Sequence, residues 1–462
     1  METHAKQNPA PVKDKDRIRV LDAIRGIALL GILLMNIYIG GNYGGVEYNQ
    51  TLIANTTGPN FITTVIISIF FEGKMRALFC MLFGAGLMLY ILQKKNPENP
   101  KGLWKLYYSR MFWLLIFGLF NAYILLFYYD ILYSYAVAGM IVFLMRYLKP
   151  GMKTLILPIF ILIGLITDNV MYRSDRETRL TYLEATALQE KGEEITPEQT
   201  EAIEAWEEIY ADMDFSGEKR DENTEKLKSG YLDVASVTYE RSFEGQTKYL
   251  LFLLTDQIPL MLLGMALLQW GFFTGRWKKK WYLYTLVIGY LVGFPIAINN
   301  IYTDLYIFNS EEAFMNFIDN NPFIWFELNY QVQRIFLVMG HVSLIVLLHK
   351  ANVFSWLLRR LEAVGQMALT NYLMQSVLVT FFFFGYGLNY FDELEFYQLY
   401  YVVGVIWILQ IAYSPIWLRY YRFGPCEWLW RSLTYWRKMP FKRSTPGIVA
   451  MPGQPLQVKS DK

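Results

Sequence analysis

The apolar segments of this chain are separated by connections whose charge alternates along the sequence. These segments cover residues 20–39, 75–92, 110–128, 131–147, 154–170, 249–270, 281–300, 328–348, 363–386 and 397–418. Most are long enough to cross the ~30 Å hydrocarbon layer of a bilayer as helices. Lys and Arg cluster in every second connection, whereas short connections between these clusters are acidic. The pattern predicts an all-α polytopic membrane protein of about ten transmembrane helices, with both termini in the cytoplasm.

One further apolar run is too short to be counted with these spans. Residues 61–71 form an apolar stretch of about 11 residues, which does not reach across a bilayer as a helix. Counting it as a span would place the basic connection 94–105 outside, against the charge rule. We therefore predict an interfacial or re-entrant helix on the outer side.

The same patterns divide the chain into five regions. They are a cytoplasmic tail (1–19), five spans (20–170), an extracytoplasmic acidic insertion (171–248), five more spans (249–440) and a disordered cytoplasmic tail (441–462). The insertion is either a small helical cap or a flexible acidic loop. Thr196 and Gln199 flank Pro197 in the spacing of a capping box, which predicts that a helix begins there.

Composition limits the class of protein and its partners. With 54% hydrophobic and 18% charged residues, the chain is typical of membrane proteins, and the lipid bilayer is its first expected partner. The basic residues follow topology and form no binding stripe, so no nucleic acid is expected. Three scattered histidines do not form a usual zinc site, and neither a metal nor a permanently bound cofactor is predicted. We expect a location in the bacterial inner membrane.

Ionisable residues inside spans are costly, which makes each of them a candidate functional residue. Asp22 and Arg25 are three residues apart and share one face of the first span. They form either a helix cap with an interfacial arginine, or a fixed guanidinium that faces a cytoplasmic anion such as a phosphate. Arg110, at the start of the third span, either joins this site or is another interfacial anchor.

Other polar residues lie deeper in the predicted spans. His341 lies near the middle of the eighth span, two turns from Arg334, and is either a proton-transfer group or a structural histidine. Asp256 lies about two turns into the sixth span, and Asp130 at the start of the fourth can be its N-cap.

The ninth span carries a polar patch on an otherwise apolar helix. Thr370, Asn371, Gln375 and Ser376 either hold helices together, at ~1 kcal/mol each, or line a pathway. By contrast, the glycine-rich stretch 40–45 lacks the strand and lysine of a phosphate-binding loop, so we interpret it as a flexible connection.

Five blocks in order resemble the YeiB-like family of membrane proteins, which carries the domain of unknown function 418. The blocks are Arg19 to Asn36, Gly73 to Gly86, Arg110 to Ala136, Gly365 to Gln375 and Gly424 to Thr434. This family is distantly similar to the membrane acyltransferase clan, which has about ten helices and an Arg/Asp-bearing first span. Members of that clan move an acyl group from a cytoplasmic thioester to an acceptor at the outer face.

The chain departs from the resemblance at three positions. Family members tend to have a histidine where this chain has Asn121, and a tyrosine where it has His341. Many enzymes of the acyltransferase clan depend on a histidine near the outer end of the first span, where this chain offers Asn36. We hypothesise that the imidazole has moved from the third to the eighth span around one cavity, which requires Asn121 and His341 to be close together.

The resemblance implies an acyltransferase-like protein that carries an acyl group from acyl-coenzyme A to a glycan or lipid of the cell envelope. For this function we assign Asp22, Arg25, Arg110 and Asn371 to the donor, His341, Asn121 and Gln375 to catalysis, and Asn36, Asp130, Asp256 and Arg334 to the acceptor side. The main alternative is a transporter or flippase for a small anion or a lipid-linked group. A scaffold for envelope enzymes is a third possibility.

Overall fold

A computed structural model of the protein describes residues 18–41, 57–94, 100–212, 218–308 and 310–443. These residues are mostly helical, and the β-structure among them is a single bridge between Tyr421 and Lys442. Most of the predicted tails, 1–19 and 441–462, and the glycine-rich connection beyond Gly41 lie outside the described residues. The protein is therefore an all-α membrane protein, as the sequence predicts.

The first half of the described chain contains nine helices. They are α1 (Arg19–Gly41), α2 (Gly58–Phe70), α3 (Lys74–Lys94), α4 (Pro100–Tyr123), α5 (Leu132–Leu144), α6 (Pro150–Glu190), α7 (Pro197–Asp212), α8 (Glu218–Leu227) and α9 (Tyr231–Gln246). The short helix α2 ends at a tight turn in which Gly73 has a φ of +67°. Glycine suits this position because side chains with a Cβ rarely adopt that conformation.

The second half contains eight helices and one π-helical segment. They are α10 (Leu250–Gln269), α11 (Lys279–Tyr302), the π-helical segment Thr303–Ile307, α12 (Glu311–Asn320), α13 (Phe326–Lys350), α14 (Ser355–Gln366), α15 (Ala368–Phe383), α16 (Phe396–Tyr420) and α17 (Pro425–Thr434). The main apolar core joins α1, α3, α5, α10 and α13. Helix α13 packs along α11, α10 along α3, and α14 along α1.

Within the described residues, seven segments are long and apolar enough to cross a membrane. They are Arg19–Gly41, Gly58–Leu92, Pro150–Glu190, Leu250–Gln269, Lys279–Ile307, Phe326–Lys350 and Phe396–Tyr420. Helices α5 and α15 are apolar but shorter. Helices α6 and α11 leave many large apolar side chains exposed, which suits a lipid environment rather than water. The total of about ten spans stays a prediction.

The alternation of charge gives the bundle two faces, a basic side and an acidic side. The basic side carries the start of α1, the end of α3, the start of α4 and the end of α13. The acidic side carries the α2–α3 turn, the end of α11 and the start of α13. The charge rule assigns the basic side to the cytoplasm.

The insertion is helical in its described residues, in agreement with the helical-cap alternative. Thr196 Oγ1 accepts a hydrogen bond from the Gln199 amide (3.2 Å), and Gln199 Oε1 accepts one from the Thr196 amide (2.9 Å), which confirms the predicted capping box. The predicted fifth span, 154–170, is part of a longer helix, because α6 runs without interruption to Glu190; the end of the span at residue 170 stays a prediction. No glycine follows its apolar part before Gly192, whose φ of +75° suits the turn after the helix.

The predicted ninth span, 363–386, is wrong as a single helix. It consists of α14 and α15, which meet at Met367. Asn371 Nδ2 donates to the carbonyl oxygen of Val364 (3.0 Å). The interruption leaves this carbonyl without the backbone amide, four residues further on, that would bond to it in a continuous α-helix. The polar patch therefore lies where two helices meet.

Candidate functional site

A cavity of about 510 Å³ opens on the basic side, between the start of α4 and the end of α17. Its lining includes Lys105, Ser109, Tyr435, Trp436 and Arg437. The Ser109 hydroxyl donates to the carbonyl of Thr434 (3.3 Å), so the two helices that form the cavity are tied together. Two cationic side chains and an aromatic wall give it the character of an anion site.

Arg110 follows Ser109 and is held by aromatic rings. Its guanidinium carbon lies 4.0 Å from the ring centroid of Trp430 and 5.5 Å from that of Tyr90. The Trp430 indole donates to the Arg110 carbonyl (2.9 Å). Arg25 is near enough for its charge to act on Arg110. The predicted pairing of these two arginines is thus compatible with the structure, and their contact with a donor stays a prediction.

Asp22 and Arg25 form the ion pair that their spacing predicts. Arg25 Nη1 donates to Asp22 Oδ1 at 2.8 Å, and both side chains are partly exposed. The adjoining backbone is tightly packed, because a Cβ on Gly365 would lie 2.0 Å from the carbonyl oxygen of Asp22. The pair lies where α14 packs against the basic end of α1.

Asn121 and Asp130 lie together at the α4–α5 connection. Asn121 Nδ2 donates to Asp130 Oδ1 (2.8 Å), and the Tyr372 hydroxyl lies 3.4 Å from the same oxygen. Asp130 Oδ2 accepts the backbone amide of Tyr133 (2.9 Å) in the first turn of α5, but the N-cap position is Ile131, one residue after the predicted one. Asn121 is fully buried, and its Oδ1 has no hydrogen-bond partner in the structure.

Asn371 and Gln375 belong to a second polar cluster, between α15 and α16. Gln375 Nε2 donates to Gln410 Oε1 (3.0 Å), and Gln410 Nε2 donates to the Asn371 carbonyl (2.8 Å). The Asn371 side chain also contacts Ser414 (3.2 Å) and accepts a hydrogen bond from Tyr413. These bonds occupy the Asn371 amide and give it a structural role, so its predicted contact with a donor has no support from the geometry.

His341 and Asn121 share no hydrogen-bond partner. Its Nδ1 is 3.0 Å from the Tyr290 hydroxyl, and its Nε2 is 3.0 Å from the carbonyl oxygen of Phe70. The imidazole thus connects α13 to α11 and to the end of α2. Neither of these groups contacts Asn121, whose partner is Asp130. The contacts therefore give no support to the hypothesis of one shared cavity, and the catalytic role of His341 stays a prediction.

The two predicted acceptor-side residues Asp256 and Arg334 form a buried ion pair. Asp256 accepts hydrogen bonds from Arg334, from Arg76 (3.4 Å) and from Gln331 (3.3 Å). Arg334 is fully buried, and its guanidinium carbon lies 4.8 Å from the ring centroid of Tyr330. Asn36, also predicted for the acceptor side, lies half-buried on α1.

Sequence reasoning missed Lys74 and Arg76, which belong to the same charged region. Lys74 is 1% exposed and donates to the Ser68 carbonyl (2.6 Å), and Arg76 joins the Asp256 pair. Basic residues at a span end usually mark a membrane surface, so Lys74 and Arg76 were not predicted as site residues. Their presence on the acidic side, against the charge rule, was the available signal.

Glu427 joins α17 to the start of α15. Its Oε1 accepts the backbone amides of Leu369 (2.6 Å) and Thr370 (3.1 Å), and its Oε2 accepts the Thr370 hydroxyl (2.6 Å). Burial raises the pKa of this carboxyl group, while the hydrogen bonds from Thr370 and Leu369 favour its charged form. A carboxylate at this position also interacts favourably with the helix dipole of α15.

We expect the substitution Glu427→Ala to lower the free energy of unfolding by about 2–3 kcal/mol, because it leaves buried amides without an acceptor. Glu427→Gln keeps one acceptor oxygen and should lose less. Thermal unfolding in detergent measures both losses. The exposed pair of Glu222 and Lys226 provides the control, since Glu222→Ala should leave the melting temperature nearly unchanged. Equal losses for Glu427→Ala and Glu222→Ala would contradict this role.

Comparisons with known proteins find one family and several relatives to which this chain is similar. Residues 267–437 match a family described as "Protein of unknown function (DUF418)". "Uncharacterized protein YxaH" of Bacillus subtilis is 28% identical over 448 residues, which cover 94% of this chain and 98% of that protein. "Uncharacterized protein YeiB" of Escherichia coli is 27% identical over 91% of this chain and 96% of its own length.

A third relative is similar to a shorter part of the chain. An uncharacterized 39.9 kDa protein of Bacillus acidopullulyticus is 29% identical over 186 residues, which is 40% of this chain. No solved structure matches the chain. The matches to YxaH and YeiB extend over nearly the whole chain, and the family match covers its C-terminal spans. The comparisons therefore support a YeiB-like family for this chain, with the domain of unknown function 418 in its C-terminal part.

Proposed function

We propose that this protein is a membrane-embedded acyltransferase. It takes an acyl group from a thioester donor with phosphate groups, such as acyl-coenzyme A, on the basic side and delivers it to an acceptor on the acidic side. The observation that carries the proposal is the 510 Å³ cavity lined by Lys105 and Arg437 next to Arg110. Cationic side chains at a membrane surface are suited to phosphates, and Arg110 is already oriented by Trp430.

The proposed reaction is an acyl transfer. An oxygen or nitrogen atom of the acceptor attacks the carbonyl carbon of the thioester, the C–S bond breaks, and the acceptor's proton passes through a base to the leaving thiolate. His341 is the proposed base. The buried oxygens Asn121 Oδ1 and Gln375 Oε1, which both lack a hydrogen-bond partner, support a role for these residues beyond packing.

Binding of coenzyme A to the purified protein in detergent tests the donor site. We expect saturable binding to the wild type, and a loss of about tenfold or more in affinity for Lys105→Ala, Arg25→Ala and Arg110→Ala, because each removes a charge-assisted contact. Lys279→Ala is the matched control. This exposed lysine carries the same charge on the basic side and lies outside the cavity lining, so its removal should leave affinity unchanged.

The absence of binding at millimolar coenzyme A would overturn the proposal. Equal binding by the wild type and by Lys105→Ala, Arg25→Ala and Arg110→Ala would show that the donor binds elsewhere. If Arg25→Ala instead abolishes expression, the Asp22–Arg25 pair has a structural role, and Lys105→Ala alone then tests the cavity.

A transporter or flippase is the second candidate, and one observation favours it. The helix pair α14–α15 is interrupted at Met367, and a π-helical segment follows α11. Discontinuous helices are typical of secondary transporters. Uptake of an anion or lipid-linked group into proteoliposomes, without coenzyme A binding, would favour transport over acyl transfer.

A further inference from the structure

A second cavity, of about 230 Å³, opens on the acidic side. It lies where the turn after α2 meets the end of α11 and the start of α13. Its lining includes six side chains with carboxylate or amide groups: Glu72, Asn299, Asn300, Asp304, Asn329 and Gln333. The volume equals about eight waters, which suits a small polyol.

Gln333 has an unused hydrogen-bond acceptor at this cavity. Its side chain is 5% exposed, and its Oε1 has no partner in the structure. A buried amide oxygen without a donor is costly, and native proteins rarely keep one without a reason. A donor group on a molecule inside the cavity would satisfy this oxygen.

Two carboxylates face the same cavity. Glu72 and Asp304 are close enough to repel each other. Lys74 is near Glu72 and offsets part of its charge, and its ammonium group donates to the Ser68 carbonyl (2.6 Å). The turn that presents Glu72 is fixed, because a Cβ at Gly73 would lie 2.3 Å from the Tyr330 hydroxyl. The repulsion between the carboxylates favours a positively charged occupant.

Aromatic rings complete the arrangement. Phe308, Phe326 and Tyr330 line the cavity together with the carboxylates, and the rings of Phe308 and Phe326 meet edge to face at 5.7 Å. Ring faces and carboxylates both attract ammonium groups. Amide and carboxylate oxygens also accept hydrogen bonds from ammonium and hydroxyl groups.

We propose that this cavity binds a small protonated amine that carries hydroxyl groups. The ammonium group lies between Glu72 and Asp304, and a hydroxyl or ammonium proton bonds to Gln333 Oε1. Binding requires no acyl transfer. If the proposed function holds, the bound molecule is the acyl acceptor and is held by its amine. This last statement alone rests on the proposed function.

Serinol and glycerol provide a matched pair of probes, since they differ by one ammonium group in place of one hydroxyl. Saturation-transfer NMR titrations of the full chain, in a maltoside detergent and an amine-free buffer, measure both affinities. We expect serinol to bind about tenfold more tightly than glycerol, as charged hydrogen bonds are stronger than neutral ones. Glu72→Gln and Asp304→Asn should each weaken serinol binding about tenfold and leave glycerol binding nearly unchanged.

Two further variants locate the site. Gln333→Leu removes the unused acceptor and should weaken both probes. Glu312→Gln removes an exposed carboxylate of α12 on the same side, outside the cavity lining, and should affect neither. Thermal unfolding of each variant identifies any that fail to fold, and the comparison of serinol with glycerol on the wild type does not depend on them.

Equal affinities for serinol and glycerol, or serinol binding that survives both Glu72→Gln and Asp304→Asn, would overturn the proposal. The coenzyme A titration separates this result from that of the donor site. Serinol binding without coenzyme A binding would preserve the amine site and reject acyl transfer. Coenzyme A binding without serinol selectivity would do the opposite.

Discussion

Replacing Gly84 by alanine is expected to disrupt the packing of α3 against α10. A Cβ at this position would lie 1.9 Å from the carbonyl oxygen of Met261, and one on Gly264 would lie 1.9 Å from that of Met81. The two backbones thus touch at reciprocal glycines, in the way that small residues allow membrane helices to approach closely. The clash involves backbone and cannot be relieved by a change of rotamer, so we expect a loss of about 3 kcal/mol or more.

Gly86→Ala is the matched control for this prediction. Gly86 lies on the same helix, and a Cβ there would meet no atom within 4 Å. This variant should be neutral, or more stable by up to about 1 kcal/mol, because alanine has the higher helix propensity. Thermal unfolding and size-exclusion profiles in detergent compare the two variants. Equal melting temperatures would show that α3 and α10 separate at low cost.

The fold was predictable where the signals are local. The apolar span 20–39 corresponds to α1, Arg19–Gly41, and the capping box at Thr196 begins α7. The short run 61–71 was predicted as a helix, and α2 is a helix of 13 residues that ends at a tight turn; that it does not cross the membrane stays a prediction. Periodicity, length and capping each depend on residues close together in sequence, which explains these agreements.

The interruption at Met367 depends on distant residues. The amide of Leu369 is satisfied by Glu427, which is 58 residues further along the chain. Nothing between residues 363 and 386 signals this partner, because the segment lacks proline and carries its glycines only near the ends. Sequence patterns report the preference of the local chain for a helix, whereas the break is stabilised by tertiary contacts.

The candidate site was predictable by residue type and less so by arrangement. Asp256 and Arg334 were singled out because ionisable groups in spans are costly, but their pairing needs α10 and α13 to meet. Asn121 and His341 were expected to lie close together around one cavity. Their positions along the third and eighth spans do not determine which neighbours surround each helix face. The acidic-side cavity was missed because its lining comes from three separate segments.

We expect Asp256→Asn to be among the most destabilising single substitutions in this protein. The carboxylate accepts hydrogen bonds from Arg334, Arg76 and Gln331, and Arg334 is fully buried. Asparagine keeps the shape and loses the charge, so a buried guanidinium remains without a counter-ion. Breaking a buried ion pair in this way costs about 3–5 kcal/mol.

A double variant separates the cost of an unpaired charge from the value of the pair itself. Asp256→Asn combined with Arg334→Gln removes both charges, and we expect it to recover much of the lost stability in thermal unfolding. Asp319→Asn is the control for a less buried pair: Arg179 binds Asp319 at 2.6 Å, and the Asp319 side chain is 26% exposed, so its loss should cost less than that of Asp256. If Asp256→Asn costs no more than Asp319→Asn, the buried network does not stabilise the fold. Its retention beneath the acidic-side cavity would then require a role in binding.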